Sequence, residues 1–324
     1  MSLLVQKGLV TTIIPVYNRP AFIVDAVNSV LSQTYSDVEI IIVDDGSTDN
    51  TPLVIANLAN ENEQVRVFHQ TNSGPGVARE LGRLNARGEY IQYLDSDDLL
   101  LPNKFQEQIM AFVQDDQADV AYGMTETIAV GSERKLIPDG HTGEEHRSMF
   151  PLLLRERWWS TSTPLFKRSV VEKAGPWSAM SNEEDWEYEA NIASYGGRLV
   201  FTNTFVSITR SHDDHLCIDG DKEPNKLQNR AMSRARIYQH AKRYMELGDR
   251  PAEIEDDDWV IFSKYAFLLA RQCALVGLTT EARAMVSISI EAVGKKTVAH
   301  RIFLKLVKLF GWKRAAELIR ATGR

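Results

Sequence analysis

The sequence reads as an α/β protein, a mixed, mainly parallel sheet sandwiched by helices, followed by an all-helical C-terminal extension. Two observations predict this. The first third alternates short β-rich apolar runs with helical patterns, the signature of βαβ units. Beyond Asp219 only helical patterns follow, interrupted by the acidic stretch 253–258, and no further strand is convincing.

The runs 10–17, 38–43, 65–69 and 90–94 are nearly continuous in apolar residues, as expected of parallel strands buried on both faces. The first helix starts near Pro20, a favoured first-turn residue, and carries Ile23, Ala26, Val27, Val30 and Leu31 on one face. The second opens on Thr51-Pro52, a cap followed by proline at the first helical position. A third spans about 76–86 and a fourth starts at Pro102. From 118 to 212 the order is less regular: a strand near 119–127, a polar loop over 131–147, a helix over about 183–195, and one or two strands over 198–209. A domain boundary is expected near residue 220, and no internal repeat or low-complexity tract is evident.

A chain of 324 residues suits one large domain, or a medium domain with an appendage. Its net charge of −7 and pI near 5.6 give no basic footprint for nucleic acid and suit an acidic site that takes a cation. Cys217 and Cys273 lie far apart and outside any CxxC spacing, which predicts neither a disulfide framework nor a thiolate zinc site and implies a reducing, cytoplasmic setting. Residues 1–10 lack a small-residue cleavage site, which argues against a signal peptide, and no apolar run approaches the roughly 20 residues that span a bilayer.

In open α/β sheets ligands sit at the carboxyl ends of the strands. Four such ends carry polar residues here: Tyr17-Asn18, Asp44-Asp45-Gly46-Ser47, Asn72-Ser73-Gly74 and Asp95-Ser96-Asp97-Asp98. They are expected to converge on one edge. The Asp44-Asp45 carboxylates, just past a buried strand, can accept hydrogen bonds from a base or ribose, although the same residues also suit a capped strand-to-helix turn. Asp95 and Asp97 are hard oxygen ligands two residues apart, suited to Mg²⁺ or Mn²⁺ with the phosphates of a ligand. Solvated turn acids are the plainer account; their position at a strand end favours the site, because like charges there need a cation or a donor to neutralise them. Gly74-Pro75-Gly76-Val77-Ala78-Arg79 begins like a dinucleotide fingerprint without its third glycine. Arg79 reads either as a first-turn cation facing a diphosphate or as an exposed helical arginine.

Asn182-Glu183-Glu184-Asp185-Trp186 opens a helix, where acids complement the dipole. The nearby supply of Trp158, Trp159, Trp177 and Trp186 suits stacking on an acceptor sugar, with core packing the commoner use of any one tryptophan. His212 is a candidate third metal ligand or diphosphate contact, against a structural role.

Thr12-Ile13-Ile14-Pro15-Val16-Tyr17-Asn18-Arg19, Val43-Asp44-Asp45-Gly46-Ser47-Thr48-Asp49, Gly88-Glu89-Tyr90-Ile91 with Leu94-Asp95-Ser96-Asp97-Asp98, and Glu184-Asp185-Trp186 together closely resemble the inverting family 2 glycosyltransferases with a GT-A fold. The resemblance covers about residues 9–218 and is specific for the superfamily, not for a sugar. It implies a nucleotide-binding half over about 1–98, an acceptor half over about 99–218, and a helical region over 219–324. Pro15 and Tyr17 would line the base pocket, Asp45 would hydrogen-bond the base, and Arg79 would lie near the nucleotide. Asp95 would contact the ribose, Asp97 would coordinate the cation on the diphosphate with His212 near it, and Asp185 would be the general base. Trp158, Trp159, Glu184 and Trp186 fall on the acceptor side. Glu80 departs from the family, which commonly has asparagine after the arginine. The implied activity is metal-dependent transfer, with inversion, of a hexosyl or N-acetylhexosaminyl group. The donor would be a nucleotide-diphospho-sugar, a UDP-sugar favoured, and the acceptor a hydroxyl of a glycan or lipid-linked molecule in polysaccharide or glycan assembly.

A non-catalytic nucleotide-sugar or glycan-binding module on the same fold is the alternative, since fold does not fix function; the presence of both Asp97 and Asp185 speaks against it. A phosphotransferase is disfavoured by the lack of a P-loop. The stretch 295–324 holds Lys295, Lys296, Arg301, Lys305, Lys308, Lys313, Arg314, Arg320 and Arg324 against the single acid Glu317. Interleaved with Ile302, Phe303, Leu306, Val307, Leu309, Phe310 and Trp312, it reads as a helix docked on the helical extension or as a basic amphipathic helix making peripheral contact with an anionic membrane.

Overall fold

The structure, a computed structural model, describes residues 4–211 and 223–321, so His212 and Cys217 lie outside the described residues. The first part follows the expected alternation: β1 (Gln6–Val16), α1 (Pro20–Leu31), β2 (Val38–Asp44), α2 (Thr51–Glu61), β3 (Val65–His69), α3 (Pro75–Asn85) and β4 (Gly88–Tyr93). Then come β5 (Leu99–Leu100), α4 (Lys104–Gln114), β6 (Val120–Ala129), α5 (Leu152–Arg155), β7 (Leu165–Lys167), α6 (Arg168–Ala174), α7 (Glu184–Ala193) and β8 (Leu199–Ser211). Among the described residues, five helices follow: α8 (Pro224–Met245), α9 (Asp256–Leu275), α10 (Thr279–Ala292), α11 (Val298–Phe310) and α12 (Trp312–Ala321).

Among the described residues eight strands form one sheet in the order β3-β2-β1-β4-β7-β6-β8-β5. The first four are parallel, β7 runs antiparallel to both β4 and β6, and β6 and β8 are parallel again. Every residue of β2 is buried, which is why its sequence is a near-unbroken apolar run. On one face Val10, Ile14, Ile40 and Ile42 pack against Ile23, Ala26, Val27 and Val30 of α1, so the apolar spacing of that helix finds its counterpart in the sheet.

Helix α3 crosses β1 at a glycine. A Cβ added at Gly82 would lie 2.4 Å from Ile13 Cγ2 and 3.4 Å from Ile13 Cβ, inside a stiff β-branched side chain. Glycine in a helix ordinarily costs about 1 kcal/mol relative to alanine, but forcing a methyl into this contact costs about 1–3 kcal/mol. Gly82→Ala should therefore destabilise the protein in urea denaturation; a stabilised variant would show that α3 does not ride this close to the sheet.

The chain divides into two compact units. One comprises Met1–Met149, Arg157–Ala179 and Tyr195–His215 and contains the whole sheet; the other comprises Phe150–Glu156, Met180–Ser194 and Leu216–Arg324. The expected single boundary near residue 220 is thus replaced by an interleaved division, in which α5 and α7 belong with the C-terminal helices. Side-chain contacts explain why. The Arg234 guanidinium of α8 stacks 3.6 Å from the Trp186 ring of α7, His240 meets Glu187 at 2.9 Å, and Arg155 of α5 donates to Asp258 of α9 at 2.8 Å.

Within the helical unit Phe303 of α11 is buried against Phe267 and Trp312, with ring centroids 5.6 and 5.9 Å apart. His300 on the same side is 2.8 Å from the Ser289 hydroxyl. The basic segment is therefore docked along one face. Cys273 is buried in this core, and burial pushes its thiol up to about 12, so it behaves as a small apolar residue. Among the described residues, no helix is long and apolar enough to cross a membrane.

Candidate functional site

Parallel registration lines up Val16 with Asp44, Asp44 with His69, and Ile13 with Tyr93, so the turns after β1, β2, β3 and β4 leave the sheet at one edge. Pro15 is buried inside β1, while Tyr17 is 42% exposed at its end. Asn18 takes a left-handed backbone and bridges two turns. Its amide donates to Ser47 Oγ at 3.0 Å, and its side-chain oxygen accepts from the Thr48 amide at 2.8 Å.

Asp45 fixes the neighbouring turn. Its carboxylate accepts from Gln70 Nε2 at 2.7 Å, the Ser73 amide at 2.8 Å and the Gly74 amide at 2.9 Å. Gly46, at φ 76°, lets the two turns touch, since a Cβ there would sit 2.8 Å from the Asn72 amide nitrogen. The Asp44-Asp45 turn is therefore a bracket on the loop before α3 as well as a strand end.

Beyond β4, the acidic turn is ringed by arginines. Arg79, only 4% exposed, donates to Asp95 Oδ1 at 2.7 Å and lies 4.8 Å over the Trp177 ring, which overturns its reading as an exposed helical arginine. Desolvation pushes the Asp95 carboxyl up, but the Arg79 guanidinium, with Arg157 behind it, prevails and holds it below the ordinary value. Asp97 Oδ2 pairs with Arg19 Nη1 at 3.0 Å. Arg210 of β8 donates to the Asp97 carbonyl through its guanidinium and to Asp98 Oδ1 through its amide, at 3.1 Å for the amide. Asp98 is buried, and burial beside Asp95 and Asp97 raises its carboxyl well above the ordinary value. Glu80, the departure from the family pattern, accepts from the Trp177 amide at 3.2 Å and pairs with Arg83 at 2.7 Å, a structural bracket behind Arg79.

Two of these acids, Asp95 and Asp97, already pair with the chain's own Arg79 and Arg19. The residues nevertheless fit a divalent ion. Asp97 presents a hard oxygen donor, its side chain is 16% exposed, and an ion there would take the place of Arg19 at the carboxylate.

The acceptor-side residues behave differently from expectation. Trp158 and Trp159 are 3% and 5% exposed, with rings 4.2 Å apart and packed on Tyr122, so neither offers a face to a sugar. Their stacking role is withdrawn; they are core residues of the sheet-bearing unit. In the helical unit, Glu184 is 5% exposed, Asp185 is half-buried in the first turn of α7, and half-buried Trp186 donates from Nε1 to the Leu153 carbonyl at 2.8 Å. Sequence reasoning gave no role to Arg157 or Arg210, and quoted Arg19 only within a motif. A cation directly after a strand-end Tyr-Asn is a usable signal for Arg19; Arg210 had none.

The chain belongs to the family 2 glycosyltransferases: the family model described as Glycosyl transferase family 2 matches residues 11–173, half of its length. It is 37% identical over 146 residues to an uncharacterized glycosyltransferase of Rickettsia felis, covering 45% of this chain and 24% of that protein. It is 40% identical over 119 residues to the glycosyltransferase GlyG of Streptococcus pneumoniae, covering 36% of this chain and 39% of GlyG. The chain thus spans well under half the length of these two relatives. Among solved structures, residues 1–349 of S. aureus TarS in complex with UDP-GlcNAc align with a TM-score of 0.67 at 16% identity, over 97% of this chain and 92% of that one. The mannosyltransferase PcManGT of Pyrobaculum calidifontis, in complex with GDP-Man and Mn²⁺, aligns at 0.53 and 17% identity, over 98% and 86%. These likenesses identify the GT-A fold.

Proposed function

We propose that the protein is an inverting glycosyltransferase that moves a hexosyl or N-acetylhexosaminyl group from a nucleotide-diphospho-sugar, a UDP-sugar by preference, to an acceptor hydroxyl in polysaccharide or glycan assembly. The observation that carries this is the meeting of the Asp45 bracket and the arginine-ringed Asp95-Ser96-Asp97 turn at one edge of four parallel strands, where a nucleotide and its diphosphate can be held together. In this reading Pro15 and Tyr17 bound the base pocket, Asp45 orients the base, Asp95, fixed by Arg79, receives the ribose, and Asp185 takes the proton from the acceptor hydroxyl. A Mn²⁺ or Mg²⁺ ion held by Asp97, with His212 as a further ligand, would stabilise the negative charge of the departing diphosphate. Glu184 and Trp186, the sequence neighbours of Asp185, belong to the acceptor side on this reading.

Donor hydrolysis without acceptor, assayed across UDP, GDP and dTDP sugars, tests the reading. Turnover of one class, dependent on Mn²⁺ or Mg²⁺, is expected; tight nucleotide-sugar binding with no turnover under any condition would instead favour a binding module.

Peripheral membrane contact is a second element of the proposal, favoured by the face of α11 left outside the bundle. Val298, Ile302, Leu309 and Phe310 are 46–69% exposed and alternate with exposed Arg301, Lys305 and Lys308. That face suits a lipid-linked acceptor presented at an anionic surface. Ile302→Asp with Leu309→Asp should abolish co-sedimentation with anionic liposomes; equal binding by the double variant and the wild type would remove the idea.

A further inference from the structure

The loop between β6 and α5 carries His141-Thr142-Gly143-Glu144-Glu145-His146, a grouping to which the proposed donor site assigns no role. His141 Nδ1 lies 3.0 Å from Glu144 Oε1, His146 Nε2 lies 3.5 Å from Glu144 Oε2, and the three ligand atoms sit within 4.8 Å of one another. Tetrahedral zinc, with bonds of about 2.0–2.2 Å, sets neighbouring ligand atoms roughly 3.3–3.5 Å apart, close to this spacing. His146 Nε2 is shielded from water and makes no hydrogen bond among the described residues. Such a nitrogen is costly to bury unless something else satisfies it.

The segment is also pre-shaped. The Tyr122 hydroxyl donates to the Glu144 carbonyl at 2.8 Å and accepts from the His146 amide at 2.6 Å, fixing the backbone on both sides of Glu145. The His146 ring packs edge-on to Trp158 with centroids 5.1 Å apart.

We propose that His141, Glu144 and His146 form a second metal site, selective for zinc-type ions, that ties the 131–147 loop to the sheet through Tyr122 and Trp158. Two imidazole nitrogens and one carboxylate suit Zn²⁺ and disfavour Mg²⁺, which demands oxygen ligands. This separates the site chemically from the all-oxygen donor turn at Asp97. Glu144, with 58% of its side chain exposed, leaves a fourth position open to water.

The test uses tag-free full-length protein stripped with chelator and titrated with Zn²⁺ against a competing chromophoric chelator. One tight equivalent is expected. Substituting a ligand should weaken it at least as much as the roughly 10–100-fold lost with an outer-shell partner. Glu144→Gln, at an exposed side chain, and His146→Ala should both show this loss, and zinc should protect the 131–147 loop from proteolysis in the wild type alone. Asp97→Ala should keep the zinc equivalent, which separates this result from the donor-site proposal. No zinc uptake by the wild type, or unchanged affinity in Glu144→Gln, would overturn the site.

Discussion

On the proposed assignment, replacing Asp185 with asparagine is expected to remove transfer and leave nucleoside diphosphate binding intact. A positioned general base contributes about 10²–10⁴ in rate, and an amide cannot accept the acceptor proton. Asp185 Oδ1 accepts from the Trp186 amide at 2.7 Å, a hydrogen bond that an asparagine oxygen can keep. Glu184 is 5% exposed and Asp185 half-buried, which favours Asp185 over its neighbour as the proposed base. Product release measures the first half of the prediction and calorimetry with nucleoside diphosphate the second. Transfer at near-native rate in Asp185→Asn sinks the assignment.

Asp97→Ala should abolish the tightening of nucleoside diphosphate binding by Mn²⁺, a loss of at least about tenfold, or about 1.4 kcal/mol. The pairing with Arg19 at 3.0 Å adds a second sign to the experiment. Removing Asp97 also takes one negative charge from the proposed site, so binding in the absence of Mn²⁺ should stay equal or become tighter. Calorimetry with and without the ion reads both arms. A variant that still tightens with Mn²⁺ would move the ion off Asp97.

The parallel half of the sheet was readable because strands buried on both faces must be nearly all apolar, and because their polar ends follow at once, as Asp44-Asp45 follows 38–43. Strands β5 and β7 escaped notice for the opposite reason: two and three residues are too few to show a period. Trp158 and Trp159 were misread as sugar platforms since composition gives their number but not the Tyr122 and His146 rings that cover them. The pairing of Arg79 with Asp95, 16 residues apart, depends on α3 and β4 lying side by side, which no local pattern records. Likewise, α7 joins the C-terminal helices through Arg234 on Trp186, a contact invisible to any sequence boundary near 220. The His141, Glu144 and His146 spacing is present in the sequence as His-x-x-Glu-x-His, but its three ligand atoms are brought together only by the turn of that loop.

The latches formed by Asn18 and Asp45 bear on how fast a nucleotide is captured. The turns after β1, β2 and β3 are already tied to one another by side chain to backbone hydrogen bonds before any ligand arrives. A nucleotide bound as proposed would lose its own freedom of motion but would not have to freeze three loops as well, and ordering such segments is a main cost of association. On the proposed reading, capture of the base would be governed by encounter and orientation, and selectivity would come from how well the base fits the tied turns.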